Sequence, residues 1–405
     1  GVGDSDKETL TEAAFLAKTT ADATSVIAAV PSDGLVMASR SPNSNNSNTL
    51  PYIAQEITKD PEQTIAATVE RVMGKITVTA GGTNASSAAT ANKYTSFSTT
   101  VTAIGNIKDI TLKNYYVVNA RKEGYYFRHV DKESSVTNPL TEANYGNSSA
   151  TLPYVTDPKT YDKTYTSTPA LANSYGDWYL QGSSAFGLSS FGTFSGTYMD
   201  MPGYSSGAVE TKVAAYCYEN TMLKDKQKNG YTTGIVFKAE IAPSKMMQKM
   251  SSGGGVEETN TIGSIGEIFY HSGIFYKDIE ALKEAGVLLA DGTTSSSANG
   301  APADLKKNDV QCFKKESTDG KFICYYPYWI KHLPSDTAED VMEFGIVRNN
   351  VYQVTVASIQ GVGKDGVTEN IITDTETDDP TTVLLNVKLS IKPWVVRTNS
   401  AVLGR

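Results

Sequence analysis

The stretch VLLNVKLSIKPWVVRTNSAVLGR, residues 383–405, decides how the rest of the chain is read. In it Leu385, Val387, Leu389 and Ile391 alternate with Asn386, Lys388, Ser390 and Lys392. Side chains along a strand point to opposite faces in turn. A period of two therefore puts the four aliphatic residues on one face and predicts a half-buried strand. Pro393 removes a backbone donor, which an edge or a bend tolerates better than a strand interior. Beyond it Trp394, Val395, Val396, Val402 and Leu403 carry a second apolar load. Chain ends are normally polar and frayed unless something ties them down. This end is therefore expected to be buried, in its own fold or in a neighbour's.

Outward from there, NVYQVTVASIQ (350–360), TTGIVFKAEIA (232–242), KVAAYCYENT (212–221) and VERVMGKITVTA (69–80) read as further strands. In the last, Val72, Ile76 and Val78 are the expected inward residues. Residues 98–120 give one or two more, expected to lie antiparallel to 69–80. VQCFKKESTDGKFICYYPYWI (310–330) reads as a hairpin about a turn at Ser317–Gly320. Two short helices are predicted, at 7–29 and 275–292, the second with Ile279, Leu282, Ala285 and Val287 on one side. Residues 131–208 are rich in Tyr, Ser, Gly and Thr, with Tyr154, Tyr161, Tyr165, Trp178 and Tyr179 spaced like long loops pinned by rings. Many strands without regular β-α alternation predict antiparallel sheets packed as sandwiches.

The totals narrow the function. A chain of 405 residues has room for two or three domains, and a net charge of -8 leaves no cationic surplus for nucleic acid. No run of about 18 apolar residues is present to span a membrane. The polar opening GVGDSDKET reads as an internal loop, with the gene's start expected upstream. Cys217, Cys312 and Cys324 leave the redox compartment open. Cys312 and Cys324 either meet across the expected hairpin or stay as buried free thiols.

Chemical motifs are weak. Gly361, Gly363 and Gly366 have the GxGxxG spacing, but TENIITDTETDDP follows where a phosphate-facing helix would begin. A loop between strands is the expectation. Asp374, Glu376, Asp378 and Asp379 cluster oxygens without the EF-hand spacing and read as a solvated acidic loop. His129, His271 and His332 lack zinc-ligand spacing and read as surface or boundary residues. No nucleophile elbow is present, and Glu70–Arg71 reads as a structural ion pair or as two solvent-facing ends. Neither a catalytic residue nor a cofactor is expected, so the chain is not read as an enzyme.

Several segments together resemble the fimbrillin family, the shaft subunits of type V pili. They are VERVMGKITV (69–78), YCYENTM (216–222), TTGIVFKAEI (232–241), YYPYWI (325–330), FGIVRNNVYQVTVASIQGVG (344–363) and LLNVKLSIKPWVVRTN (384–399). RNNVYQVTV (348–356) followed by KPW (392–394) is the most specific part, and the minor-fimbria shaft subunits are the nearer branch. The resemblance implies a mainly β protein of two transthyretin-like antiparallel β-sandwich domains with a few short helices and long loops. The implied division is 1–130 for an N-terminal domain lacking its first strands, 131–382 for a C-terminal domain with the Tyr-rich loops, and 383–405 for donor strands. It further implies export as a lipoprotein precursor, trimming at an arginine, and head-to-tail polymerisation on the cell surface by donor-strand exchange, supporting adhesion and biofilm formation. Neither a lipidated cysteine nor a cleavage arginine is legible ahead of Gly1. Identical subunits are the implied partners, with anchor and tip pilins and host or bacterial surface ligands beyond them. The only implied membrane link is the precursor's lipid.

The donor role falls on Leu385, Val387, Leu389, Ile391, Trp394, Val396, Val402 and Leu403. A sandwich short of one strand exposes backbone donors and acceptors beside an apolar trench, and a foreign strand satisfies both. About eight apolar side chains at roughly 2 kcal/mol each give a gross gain near ~16 kcal/mol before ordering costs. The rival reading is a pilus-tip or surface adhesin binding glycan or protein through the Tyr-rich loops.

Overall fold

The computed structural model describes residues 35–40, 63–95, 107–131, 154–158, 198–221, 227–261, 263–287, 305, 308–316, 321–332, 343–366, 384–393 and 397–403. The predicted helix at 7–29, the acidic loop at 374–379 and most of the Tyr-rich segment lie outside them. The described protein is mainly β, as expected.

Two sheets face each other across the main core. Sheet A has the order β11 (Thr211–Cys217), β3 (Gly74–Thr79), β19 (Asn350–Ile359), β20 (Leu385–Pro393). Sheet B has the order β18 (Phe322–Trp329), β12 (Gly234–Pro243), β5 (Ile107–Val118), β4 (Lys93–Tyr94), and β8 (Met199–Asp200) also pairs with β5. Alternation decides which side chains fill the space between them. From sheet A come Ile76, Val78, Tyr352, Val354 and Val356. From sheet B come Ile110, Leu112, Ile235, Phe237, Cys324 and Tyr326, and all of these are buried.

Sheet C continues this core. Its order is β14 (Val256–Thr259), β13 (Met246–Lys249), β16 (Ile274–Tyr276), β15 (Glu267–His271), β17 (Gln311–Lys314). Met246, Ile268, Phe275 and Phe313 join the main core. Phe269, Tyr276 and Cys312 pack instead with Ala281 and Leu282 of α1 (Ile279–Glu284). The sheet is thus apolar on both faces. Helix α1 is shorter than the 275–292 pattern predicts. The Asp278 carboxylate accepts the Ala281 N–H at 2.8 Å to start it, and Gly286 at φ 71 follows its C-cap.

Sheet D, with the order β1 (Met37–Arg40), β2 (Gln63–Arg71), β21 (Arg397–Leu403), holds the other terminal strand. Two ribbons, β6 (His129–Asp131) with β7 (Tyr154–Thr156) and β9 (Tyr204–Ser205) with β10 (Ala208–Val209), complete the described strands.

Four pairings differ from expectation. The stretch at 69–80 is two strands, because buried Val72 and Met73 carry the chain from sheet D into sheet A. β3 and β5 are not ladder neighbours but lie in facing sheets. The expected hairpin at 310–330 is a single bridge, Lys315 to Phe322, from which β17 and β18 diverge into sheets C and B. β3 and β19 run parallel, from Lys75 opposite Val351 to Thr79 opposite Thr355. A parallel pair needs a long connection, which the intervening chain supplies. Sheets A and B each combine strands from before and after residue 130.

Candidate assembly site: the terminal strands and a polar pole

β20 lies at one edge of sheet A and β21 at one edge of sheet D. The β19–β20 ladder runs from Asn350 opposite Pro393 to Ile359 opposite Leu385, with a bulge between Val356 and Ser358. Leu385 is fully buried, and Val387, Leu389 and Ile391 are half-buried against the main core. Asn386, Lys388 and Lys392 are exposed, so the face assigned by alternation is the inward one. Pro393 sits at the last ladder position, on an edge strand, where a missing N–H is tolerated. β21 pairs with β2 from Gln63 opposite Leu403 to Val69 opposite Arg397, so Val402 and Leu403 belong to a ladder. Trp394 and Val396 lie outside the described residues. In the single chain, then, consecutive strands are seated on two different sheets.

The seats meet at one end of the sandwich, where β3, β12 and β19 begin and β5, β11 and β18 end. This pole is polar yet buried. Arg348 and Glu219 are both wholly inaccessible. The Arg348 Nε and Nη2 donate to the two Glu219 oxygens at 2.8 Å each, while Nη1 and Nη2 donate to the Tyr126 and Tyr125 carbonyls at 2.8 and 2.7 Å. A buried guanidinium is tolerated only with donors matched in this way. Arg121 pairs with Asp157 at 3.2 Å, and the Asp157 carboxylate also accepts the Thr221 N–H at 2.9 Å. Arg128 grips Glu70 of β2 through two hydrogen bonds, at 3.1 and 2.6 Å. Glu70 therefore has a partner distant in sequence, Arg128.

Asn349, at φ 56, turns the chain into β19; its N–H donates to the Met73 carbonyl and its side chain accepts the Arg71 N–H. Gly345 is required nearby, because a Cβ there would stand 2.7 Å from the Asn220 carbonyl oxygen. His332 sits beside this turn. The Tyr352 hydroxyl accepts the Val347 N–H at 2.8 Å and is hydrogen-bonded to His332 Nδ1 at 2.7 Å. Burial, reinforced by the positive charge of Arg128, lowers the His332 pKa to about 4.

None of these charged pairs was legible as a site. The motifs that were quoted have structural roles or fall outside the described residues. Gly363 passes so close to β18 that a Cβ would stand 2.6 Å from the Tyr325 carbonyl oxygen. The three cysteines are free and buried, and burial pushes each thiol up to about 12. Among the described residues, no group of three or more His, Cys, Asp or Glu is placed to hold a metal ion. Among them also, no helix is long and apolar enough to cross a membrane.

Residues 319–400, which contain β18, β19, β20 and the start of β21, match the family described as "Major fimbrial subunit protein type IV, Fimbrillin, C-terminal". Over these residues the chain is similar to the carboxyl-terminal region of fimbrillins. Three solved structures are also similar at low identity. One is a fimbrilin of Porphyromonas gingivalis W83, at 15% identity over 81% of this chain and 59% of that one, with a TM-score of 0.30. A proposed cell adhesion protein of Parabacteroides distasonis shares 11% identity over 94% and 77%, with a TM-score of 0.32. A second from the same organism shares 13% over 80% and 53%, with a TM-score of 0.28. The chain thus spans 59% of the length of the fimbrilin from P. gingivalis. No curated protein matches the chain significantly. The matched region holds Arg348, His332, Tyr352 and the whole β19–β20 ladder, but Glu219, the partner of Arg348, and the Arg128–Glu70 pair come from outside it.

Proposed function

We propose that the chain is a structural subunit of a surface fimbrium and polymerises head-to-tail by lending its carboxyl-terminal strands to the next copy. The observation that carries this reading is the placement of β20 and β21, consecutive in the chain, on the edges of two different sheets. An edge strand is held by one ladder and one apolar face. Both can be reproduced in the same register on a second copy, so exchange conserves the contacts it breaks. Leu385, Val387, Leu389, Ile391, Trp394, Val396, Val402 and Leu403 are the proposed donor residues. Donor and seat are different surfaces, so the contact propagates instead of closing a dimer. β1 ends at Arg40 and, among the described strands, pairs with β2 only, so cutting the chain there would free the other edge of β2. The same reading includes a lipidated precursor, a cell-surface location, and anchor and tip pilins as further partners. The division into an N-terminal domain at 1–130, a C-terminal domain at 131–382 and donor strands at 383–405 stands with it as a proposal.

Thr355 and Lys388 face each other in the β19–β20 ladder. A Thr355→Cys, Lys388→Cys variant, oxidised after assembly, is expected to run as a series of covalent multimers on a non-reducing gel. A monomer band alone, from material forming filaments on electron-microscope grids, overturns donation of β20. Purified protein that forms no filaments at all overturns the polymer reading itself.

A further inference from the structure

The four strands of sheet A contain no Asp or Glu, in a chain whose net charge is -8. Their outward faces are fixed by alternation. Ile76, Val78, Tyr352, Val354, Leu389 and Ile391 turn toward the core, so their chain neighbours turn away from it. One outward row across β3, β19 and β20 is Lys75, Val351, Lys392; the next is Thr77, Gln353, Ser390; the third is Thr79, Thr355, Lys388. Gln353 Nε2 donates to the Thr79 hydroxyl at 3.1 Å, and that hydroxyl meets the Thr211 hydroxyl of β11 at 2.8 Å, so the ladders share this face. Lys388 and Lys392 are exposed, and Lys75, Gln353, Thr355 and Ser390 are half-exposed. Around sheet C, by contrast, Lys245, Lys249 and Lys314 each face a carboxylate.

We infer that this outer face binds an acidic polysaccharide. Its three lysines meet carboxylates or sulfates, and the hydroxyl and amide groups between them meet sugar hydroxyls. Spacing chooses the ligand. Lys75 and Lys392 are two strands apart, about 10 Å, and Lys388 and Lys392 are four residues apart along one strand, about 13 Å. A nucleic-acid strand carries a charge every ~3.4 Å, most of which these lysines would leave unmet. A protein partner would need aromatic or other apolar side chains at the centre of the contact, and the middle row here is Thr77, Gln353 and Ser390. A glycan charged on every second ring matches both the sparse cations and the polar row between them. Lys388 and Lys392 lie on β20, yet they occupy the same face whether that strand is the chain's own or a neighbour's. The inference therefore goes beyond polymerisation and does not depend on it.

Binding of the monomer to immobilised hyaluronan, which carries a carboxylate on every second ring, tests this, with neutral dextran and duplex DNA as comparators. The native protein is expected to bind hyaluronan at low ionic strength and to be released near 1 M salt, where charges are screened within ~3 Å. A Lys75→Gln, Lys388→Gln, Lys392→Gln variant is expected to bind about tenfold more weakly. Lys245→Gln, Lys249→Gln, Lys314→Gln makes the same change in net charge and is expected to stay within about twofold of the native protein. Equal losses in the two variants, no binding by the native protein, or dextran or DNA held as tightly as hyaluronan overturns the assignment. Association between copies that the first variant loses, with hyaluronan binding unchanged, overturns it in favour of a second copy of the chain. Acetylation of the native protein decides if that variant does not fold. Hyaluronan is then expected to shield Lys388 and Lys392 and leave Lys245 reactive, and equal labelling of all three with and without it overturns the proposal.

Discussion

The charged pairs of the pole and those of sheet C and its helix α1 use the same chemistry in opposite surroundings. Arg348–Glu219 and Arg121–Asp157 are sealed from water, whereas Lys245–Glu258 and Lys283–Glu280 are formed by solvated side chains. In water, ion pairing contributes little, because hydration competes and two long side chains must be held still. In a buried site the pair is often no better than a well-packed apolar substitute, but losing one partner strands a charge that has no hydration. The comparison teaches that the pole's charges work as a condition on the fold: each is harmless only while its partner is present. Strands contributing a partner are thereby tied to one arrangement of the loops.

The largest expected effect breaks that condition. Glu219→Ala leaves the Arg348 guanidinium buried with two carbonyls and no counter-charge, and is expected to cost about 3–5 kcal/mol in urea unfolding. A cost near that of an ordinary surface substitution would show that the pole opens to water easily. Acid gives the next largest effect. The folded state holds the His332 pKa at about 4, below the ordinary value of 6.5. Below pH 6.5 the unfolded chain gains a proton that the folded chain refuses, so this group's contribution is complete above 6.5 and is lost as the pH falls to 4. The loss is expected to approach roughly 3 kcal/mol, and His332→Asn should remove that part of the pH dependence. The smallest effect is at the other end of the comparison. Glu258→Ala removes the exposed partner of Lys245 on edge strand β14, and the urea midpoint is expected to stay where it was. A clear shift there would mean that sheet C's surface pairs act as a network.

How much of this is written in the chain follows from what a local pattern can encode. Alternation marks faces, and it correctly turned Leu385, Val387, Leu389 and Ile391 inward and Ile76 and Val78 into the core. It does not encode partners, so the strands at 69–80 and 98–120 looked like neighbours and proved to lie in facing sheets. The same blindness made one hairpin of β17 and β18, whose alternation continues across the bridge where they part. The pole was illegible for a different reason. Glu219, Arg348 and Asp157 sit at strand ends or in loops, where charged residues are ordinarily solvated, and nothing in their spacing reveals that each has a partner far away in sequence. Asn349 was the one local hint, since Asn tolerates the left-handed turn that begins β19.

The parallel pairing of β3 with β19 also constrains how the molecule is made. The Thr77 hydroxyl reaches the Tyr352 carbonyl across 275 residues of sequence. While the ribosome is still building the middle of the chain, β3 has emerged and its central neighbour has not yet been translated. Contacts this distant delay folding and prolong the exposure of aggregation-prone strand edges. The nascent β3 must therefore wait, open and in need of guarding, until β19 has emerged.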